Sequence, residues 1–395
     1  MYEIDNKNSS NYFIGNLALD IKKGYRDRAW VEVNLNNLKY NVEEIKKHLH
    51  PGCEFMAIVK ANAYGHGSIE VSKYLNKINV NNFGVATINE AIELREGGIK
   101  GDILILGYTH PDRGLDLIKY DLIQTVVDNT YAEELNALEK ELRVHLKIDT
   151  GMHRLGEDYR NKGTINKMFN YKNLKIEGIF SHLYVADSQE REDVICTEEQ
   201  IKNFFKVAEE VKEKFNPNIK IHLQSSYGVL NYPNLNCDYA RIGIAMYGVK
   251  SNLNDNIKSN IDLKPVLSIK ARVAIVKKAQ KGDAVSYGRQ YIAKNNMKVA
   301  TVTIGYADGI PRNISNGNAF VLVNGMEAPV IGRVCMDQLM IDITNINDVE
   351  EGDIVTLVGV DKEKYVSAEE ISEAAGTITN EFLSRLSKRL QYYYR

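Results

Sequence analysis

Between residues 54 and 248 the chain alternates short apolar runs with longer stretches that fit helical spacing. The runs fall at 55–60, 82–87, 103–108, 123–128, 144–149, 178–183, 219–225 and 239–243. Their interiors, such as MAIV and ILIL, are continuously apolar rather than alternating, the pattern of parallel strands covered on both faces. Segments 131–142 and 198–215 between them read as helices. Eight strand–helix units over roughly 200 residues predict an α/β fold, a (β/α)8 TIM-like barrel, with a doubly wound sheet as the alternative.

Beyond residue 255 the texture changes. Apolar runs at 266–276, 298–304, 319–323, 338–343 and 354–358 are joined by turn sequences (KGDA, ADGIP, VNGM, EEGD) rather than by helices. They predict a second, mainly β C-terminal domain. Amphipathic spacing at 369–375 and 381–390 places a helical segment at the end of the chain, and a strand at 29–35 is expected to pair with the second domain. The expected division is an irregular N-terminal arm over 1–25, the barrel over 26–255 and the β-rich domain over 256–395.

Composition narrows the function. Of 395 residues, 44% are apolar and 26% charged, and 50 Lys+Arg against 52 Asp+Glu leave a formal charge of −2. No concentrated basic face suggests nucleic acid as a partner. No apolar run approaches the roughly 18 residues of a membrane span. The start, MYEIDNKNSSNYF, lacks the basic and apolar regions of a signal peptide, so a cytoplasmic protein is expected. Cys53, Cys196, Cys237 and Cys335 lie far apart without a CxxC or a Cys/His ligand pattern, so neither a metal site nor a disulfide framework is expected.

In a barrel, catalytic groups gather where strands end and the following loops begin. The first strand runs into Lys60 and then Ala61-Asn62-Ala63-Tyr64-Gly65-His66-Gly67; the fifth leads through Lys147 to Arg154. The sixth gives Ser181-His182, the seventh Gln224-Ser225-Ser226 and the eighth Arg241-Ile242-Gly243-Ile244. A lysine directly after FMAIV is unusual, because lysine is rarely buried without a task. Desolvation would lower its pKa and free the amine to form a Schiff base, although a surface lysine at a strand end is the plainer alternative. Ser226 and Gly243-Ile244 fall in the loops where barrels commonly hold a phosphate on backbone N–H groups and hydroxyls. Together a Schiff-base lysine and a phosphate cradle point to pyridoxal phosphate.

VKANAYGHG (59–67) closely resembles the pyridoxal-phosphate attachment motif of the alanine racemase family. The resemblance continues in order through KIDTGMHRLG (147–156), RIGIAMYG (241–248), VSYG (285–288), IGYADG (304–309) and GRVCMDQ (332–338). SHLYVADS (181–188), QSSYGVLNY (224–232) and TITNEFLSRL (377–386) look closer to the racemase domain of serine/alanine racemases associated with vancomycin resistance. Those proteins carry an N-terminal membrane domain, which is not expected here.

The resemblance implies a pyridoxal-phosphate-dependent isomerase that interconverts L- and D-alanine for peptidoglycan, with secondary activity on serine. Serine racemisation as the main activity is the nearest alternative. Lys60 would hold the cofactor and act as base on one face of the substrate Cα. Tyr287, from the second domain of a partner copy in a homodimer, would be the base on the other face. His182 would bridge Tyr287 and Arg241; taken alone, it reads as a satisfied core histidine. Arg241 would face the pyridine nitrogen and, being donor-only, leave it unprotonated. Tyr64, Ser226, Gly243 and Ile244 would bind the phosphate, and Arg154 the substrate carboxylate. Lys147 would be carbamylated (N6-carboxylysine) and orient Arg154. Tyr306 and Met336 would narrow the entrance from the partner, although core packing is the plainer reading of Met336. Asn380 stands where the family usually places a tyrosine, leaving room for a serine hydroxyl. A non-catalytic pyridoxal-phosphate carrier would resemble only the N-terminal half, and a barrel decarboxylase would carry a glycine-run phosphate loop in place of QSSYG.

Overall fold

The computed structural model describes residues 26–395, so the arm expected over 1–25 lies outside the described residues. The strands Glu54–Ile58, Asn82–Val85, Asp102–Ile105, Ile123–Val126, Leu142–Asp149, Leu174–Phe180 and Lys220–His222 pair in parallel in sequence order. Tyr239–Ile242 pairs back onto Glu54–Ile58. The remaining gap is spanned by the backbone bonds Asp238 N–H to Ile221 O (2.8 Å) and Arg241 N–H to Gln224 O (3.0 Å). Eight parallel strands therefore form a nearly closed ring. The order never reverses as a doubly wound sheet requires, so that alternative is wrong.

The apolar strand interiors are buried, because helices cover the outside of the ring and side chains fill the inside. Leu35–Lys46 packs Leu38, Val42 and Ile45 inward, and the Asn34 side chain caps it by accepting from Asn37 N–H at 3.0 Å. The expected helix 131–142 is shorter. It spans Asn129–Asn136 behind an Asp128 cap, and Leu142 already opens the next strand.

In the second domain Ile354–Asp361, Phe320–Val323, Met326–Ile331, Leu339–Asp342, Met297–Val302 and Leu267–Ala279 follow one another, and Ile354–Asp361 also pairs with Leu267–Ala279. This closes a small second ring. The Asn324-Gly325 turn falls where the VNGM sequence places one, and the strand it opens, Met326–Ile331, lies outside the expected apolar runs. Ala29–Val33 adds antiparallel to Leu267–Ala279 and so ties the start of the described chain to the second domain.

One expectation fails at the C-terminus. The helix expected over 381–390 is confined to Thr379–Ser384, and the chain then turns into the strand Gln391–Tyr394, parallel to Ala29–Val33. Phe382, Leu383, Leu386 and Leu390 are all buried, so the apolar spacing is real. An exposed edge on Ala29–Val33 offers backbone pairing that a further helical turn would forgo. The last strand takes that edge.

Candidate active site

A cavity of 420 Å³ opens at the C-terminal ends of the barrel strands, within the usual range for small-molecule sites. Lys60, Tyr64, Lys147, Arg154, His182, Ser226, Arg241, Gly243, Ile244 and Asn380 all line it. The structure brings these expected residues together.

Lys60 lies just past the first barrel strand, Glu54–Ile58, with Val59 between them. The next four residues, Ala61 to Tyr64, hold φ between 51° and 55°, a left-handed turn without glycine. Such a turn costs about 1–2 kcal/mol per residue and persists only where its surroundings enforce it. Here Glu90 accepts from Ala61 N–H at 2.7 Å, and the Asn62 side chain accepts from Ser68 N–H at 3.0 Å. Burial, reinforced by the nearby Arg154, pushes the Lys60 amine below the usual lysine range. Glu90 was not anticipated; only its place in the capping box Thr87–Glu90 could have flagged it.

Arg241 is buried beneath the cavity. Its Nη1 donates to His222 Nδ1 (2.9 Å) and His222 O (3.0 Å), and its Nη2 to Ser181 O (2.7 Å), Leu223 O (3.1 Å) and His182 Nδ1 (3.3 Å). Burial lowers its pKa to about 10, which leaves it cationic at neutral pH. Burial and the positive charges of Arg241, Arg154, Lys147 and Lys60 hold His182 well below the usual histidine range. A guanidinium can only donate, so the proton of neutral His182 sits on Nε2.

Across the cavity Ser226 Oγ accepts from the N–H groups of Gly243 (3.0 Å) and Ala245 (3.3 Å). A Cβ at Gly243 would lie 2.7 Å from the Tyr64 hydroxyl oxygen, so glycine lets this hydroxyl approach the backbone. Two hydroxyls and a run of amide N–H groups thus converge on one corner. Asn380 is held at the rim because Thr379 N–H donates to Ser251 O at 2.9 Å, and its Oδ1 is buried without a hydrogen-bond partner.

Lys147 Nζ donates to Ile148 O at 2.9 Å, and Arg154 makes no side-chain hydrogen bond among the described residues. Burial, helped by the cationic Arg241, lowers the Lys147 pKa to about 7. Tyr287, Tyr306 and Met336 do not line the cavity. They are 69%, 41% and 53% exposed on the second domain. Their loops are linked: Tyr306 N–H donates to Cys335 O (3.0 Å), Ala307 N–H to Met336 O (2.9 Å) and Ser286 Oγ to Arg333 O (2.7 Å). Among the described residues no helix is long and apolar enough to cross a membrane, and no group of three His, Cys, Asp or Glu side chains is placed to hold a metal.

A desolvated lysine, a hydroxyl-and-amide cradle and a buried arginine around one cavity define a barrel enzyme site for an anionic, carbonyl-bearing ligand. Residues 33–251 match the family model "Alanine racemase, N-terminal domain" and residues 266–394 match "Alanine racemase, C-terminal domain". An amino-acid racemase of Enterococcus faecalis is 44% identical over 93% of this chain and 52% of its own length. A serine/alanine racemase of Enterococcus gallinarum is 37% identical over 92% of this chain and 51% of its own length. The chain thus spans about half the length of these relatives. Among solved structures, an alanine racemase of Clostridium difficile 630 superimposes with a TM-score of 0.86 at 33% identity, covering 94% of this chain and 97% of the other. The chain belongs to the alanine racemase family, and that family depends on pyridoxal phosphate.

The Lys147 shift has a thermodynamic consequence. Its folded pKa is about 7 against an ordinary 10.5, so between these values the unfolded chain binds more protons. In carbonate-free buffer, the stability of the native chain relative to Lys147→Met should be flat below about pH 7 and rise from pH 7 towards 10. Chemical denaturation of both proteins across this window checks it; a difference independent of pH would contradict the shift.

Proposed function

We propose that this chain is a pyridoxal-phosphate-dependent amino-acid racemase, working on alanine and accepting serine, whose active sites are shared between two copies. The observation that carries this reading is the division of the acid–base groups. Lys60 lines the cavity, whereas Tyr287, Tyr306 and Met336 cluster, exposed, on the second domain.

The residues present fit the cofactor. The cradle of Tyr64, Ser226, Gly243 and Ile244 offers hydroxyl and amide donors to a phosphate, Lys60 offers a desolvated amine, and Arg241 offers a donor-only cation. When bound, pyridoxal phosphate supplies the electron withdrawal that acidifies the substrate Cα–H. Racemisation must remove a proton from one face of Cα and deliver one to the other, so two opposed bases suffice where one would have to change sides. Lys60 Nζ serves one face. The Tyr287 oxygen of a second copy serves the other, and the His182 Nε2–H is available to stabilise it as phenolate. Arg154 takes the substrate carboxylate, for which its forked donors are suited.

Mixing Lys60→Ala and Tyr287→Phe chains tests the shared site. Half of freely reassorted dimers are hybrids with one intact site each, so racemisation of L-alanine should return to about one quarter of the native rate. Demonstrated exchange with no recovery would contradict the reading.

Lys147 is the second proposal. An amine with a pKa near 7 is largely unprotonated at physiological pH, the form that adds carbon dioxide to give a carbamate and a proton. The resulting anion would orient Arg154, where a cationic lysine would repel it. Intact mass in bicarbonate should rise by one carbon dioxide relative to Lys147→Met; an unchanged mass would remove Lys147 from this role.

Serine acceptance rests on Asn380. Its unpartnered Oδ1 lies at the cavity, and a buried hydroxyl without a partner costs about 1–3 kcal/mol. Asn380→Tyr should therefore lower the L-Ser to L-Ala ratio of kcat/KM about tenfold or more. An unchanged ratio would mean that water or neighbouring side chains serve the hydroxyl instead.

A further inference from the structure

Two histidines inside the barrel have no part in the reading above. His145 precedes Lys147 by two residues and so shares its inward face of Leu142–Asp149, and His222 closes the strand Lys220–His222. They are 2% and 0% exposed. His145 Nδ1 lies 2.9 Å from His222 Nε2, and His222 Nδ1 lies 2.9 Å from Arg241 Nη1. A line of three side chains thus runs from the floor of the cavity into the barrel.

The barrel makes room for this line. His145 pairs in register with Gly178 on the neighbouring strand, and a Cβ there would lie 2.8–2.9 Å from three atoms of the His145 ring. Only glycine leaves space for the imidazole. Phe180 stacks on His222 at a centroid distance of 4.6 Å and 9°, and Tyr239 meets its edge at 5.9 Å, so this ring cannot turn freely.

The protons along the line are determined by one end. Arg241 only donates, so His222 Nδ1 accepts and its proton resides on Nε2. That proton is donated to His145 Nδ1, which places the His145 proton on Nε2. Burial, reinforced by Arg241, holds His222 well below the usual histidine range, and burial lowers His145 to about 4. Both rings stay neutral at physiological pH, so the direction of the bonds does not change.

We infer that His145 is a positioning residue of the racemase site: by accepting from His222 Nε2–H it holds the tautomer whose Nδ1 receives Arg241. The inference rests on the racemase reading and deepens it. Without His145 the Nε2–H has no acceptor, and the other tautomer would set an N–H against the Arg241 N–H. The guanidinium keeps Ser181 O, Leu223 O and His222 O, so it tilts rather than leaves. Arg154, which takes the substrate carboxylate, is untouched. The loss therefore falls on kcat rather than on KM.

The test uses the holoenzyme with His145→Leu, which removes the acceptor, and His145→Asn, whose Oδ1 replaces Nδ1. In the native enzyme the 15N spectrum should show His222 protonated on Nε2. His145→Leu should lower kcat for L-alanine about 10–100-fold, with KM within about twofold, and shift the cofactor absorbance band. His145→Asn should stay within about threefold of the native kcat. A native His222 protonated on Nδ1, or a Leu variant with native kcat and spectrum, would overturn the inference. If the Leu variant does not fold, the native tautomer and the Asn variant decide, and a loss in Asn as large as that expected for Leu overturns it. Native enzyme without racemase activity would sink the racemase reading instead, while the tautomer still tests the histidine line.

Discussion

The structure is organised around one buried positive charge. A guanidinium inside a barrel is costly unless each face finds an acceptor. Arg241 finds backbone carbonyls at Ser181, His222 and Leu223 and ring nitrogens at His182 and His222. These acceptors come from the ends of two neighbouring strands, so the charge is held by the geometry of the ring itself. Its field reaches the other titratable groups. With burial it contributes to keeping Lys60 and Lys147 below the lysine range and His182 and His222 unprotonated. A site rich in nitrogen thereby holds neutral imidazoles beside amines that release a proton more readily than a free lysine, as proton transfer or attack on a carbonyl requires.

A second constraint is geometric. The cavity opens on the barrel, whereas Tyr287, Tyr306 and Met336 stand exposed on the second domain. Ala29–Val33 and Gln391–Tyr394 lie side by side on that sheet, while the preceding helix Thr379–Ser384 packs against the turn after Lys60. The same short stretch thus anchors the second domain, supports the left-handed turn and presents Asn380 to the cavity. The lining of the cavity and the packing of the second domain therefore share one stretch of chain.

Much of this was legible in the sequence because barrel strands announce themselves as unbroken apolar runs and their ends carry the chemistry. Their places at strand ends marked Lys60, Arg241, Ser226 and Gly243 as candidates, and the family resemblance supplied their expected roles. Other features were hidden for identifiable reasons. His145 sits inside its strand, where only its spacing of two from Lys147 marks it as facing inward, and His222 closes a strand of three residues, ahead of the loop that carries Ser226. Glu90 acts through the backbone of Ala61, a contact across sequence that periodicity does not report. The strand Gln391–Tyr394 was hidden because the leucines before it keep helical spacing up to residue 390, whereas the open edge of Ala29–Val33 draws the end of the chain into the sheet. The exposure of Tyr287, Tyr306 and Met336 could not be read from a motif; it emerges only when the cavity is seen without them.

Opposed bases on opposite faces of Cα are the central claim, and the fate of one hydrogen tests it most directly. When L-alanine is racemised in deuterium oxide and the reaction is stopped early, the D-alanine formed should carry deuterium at Cα in nearly every molecule. The proton removed on one face has no route to the base on the other. D-alanine that retains a substantial share of the original hydrogen would mean a single base serving both faces, and the account built on Lys60 and Tyr287 would fail.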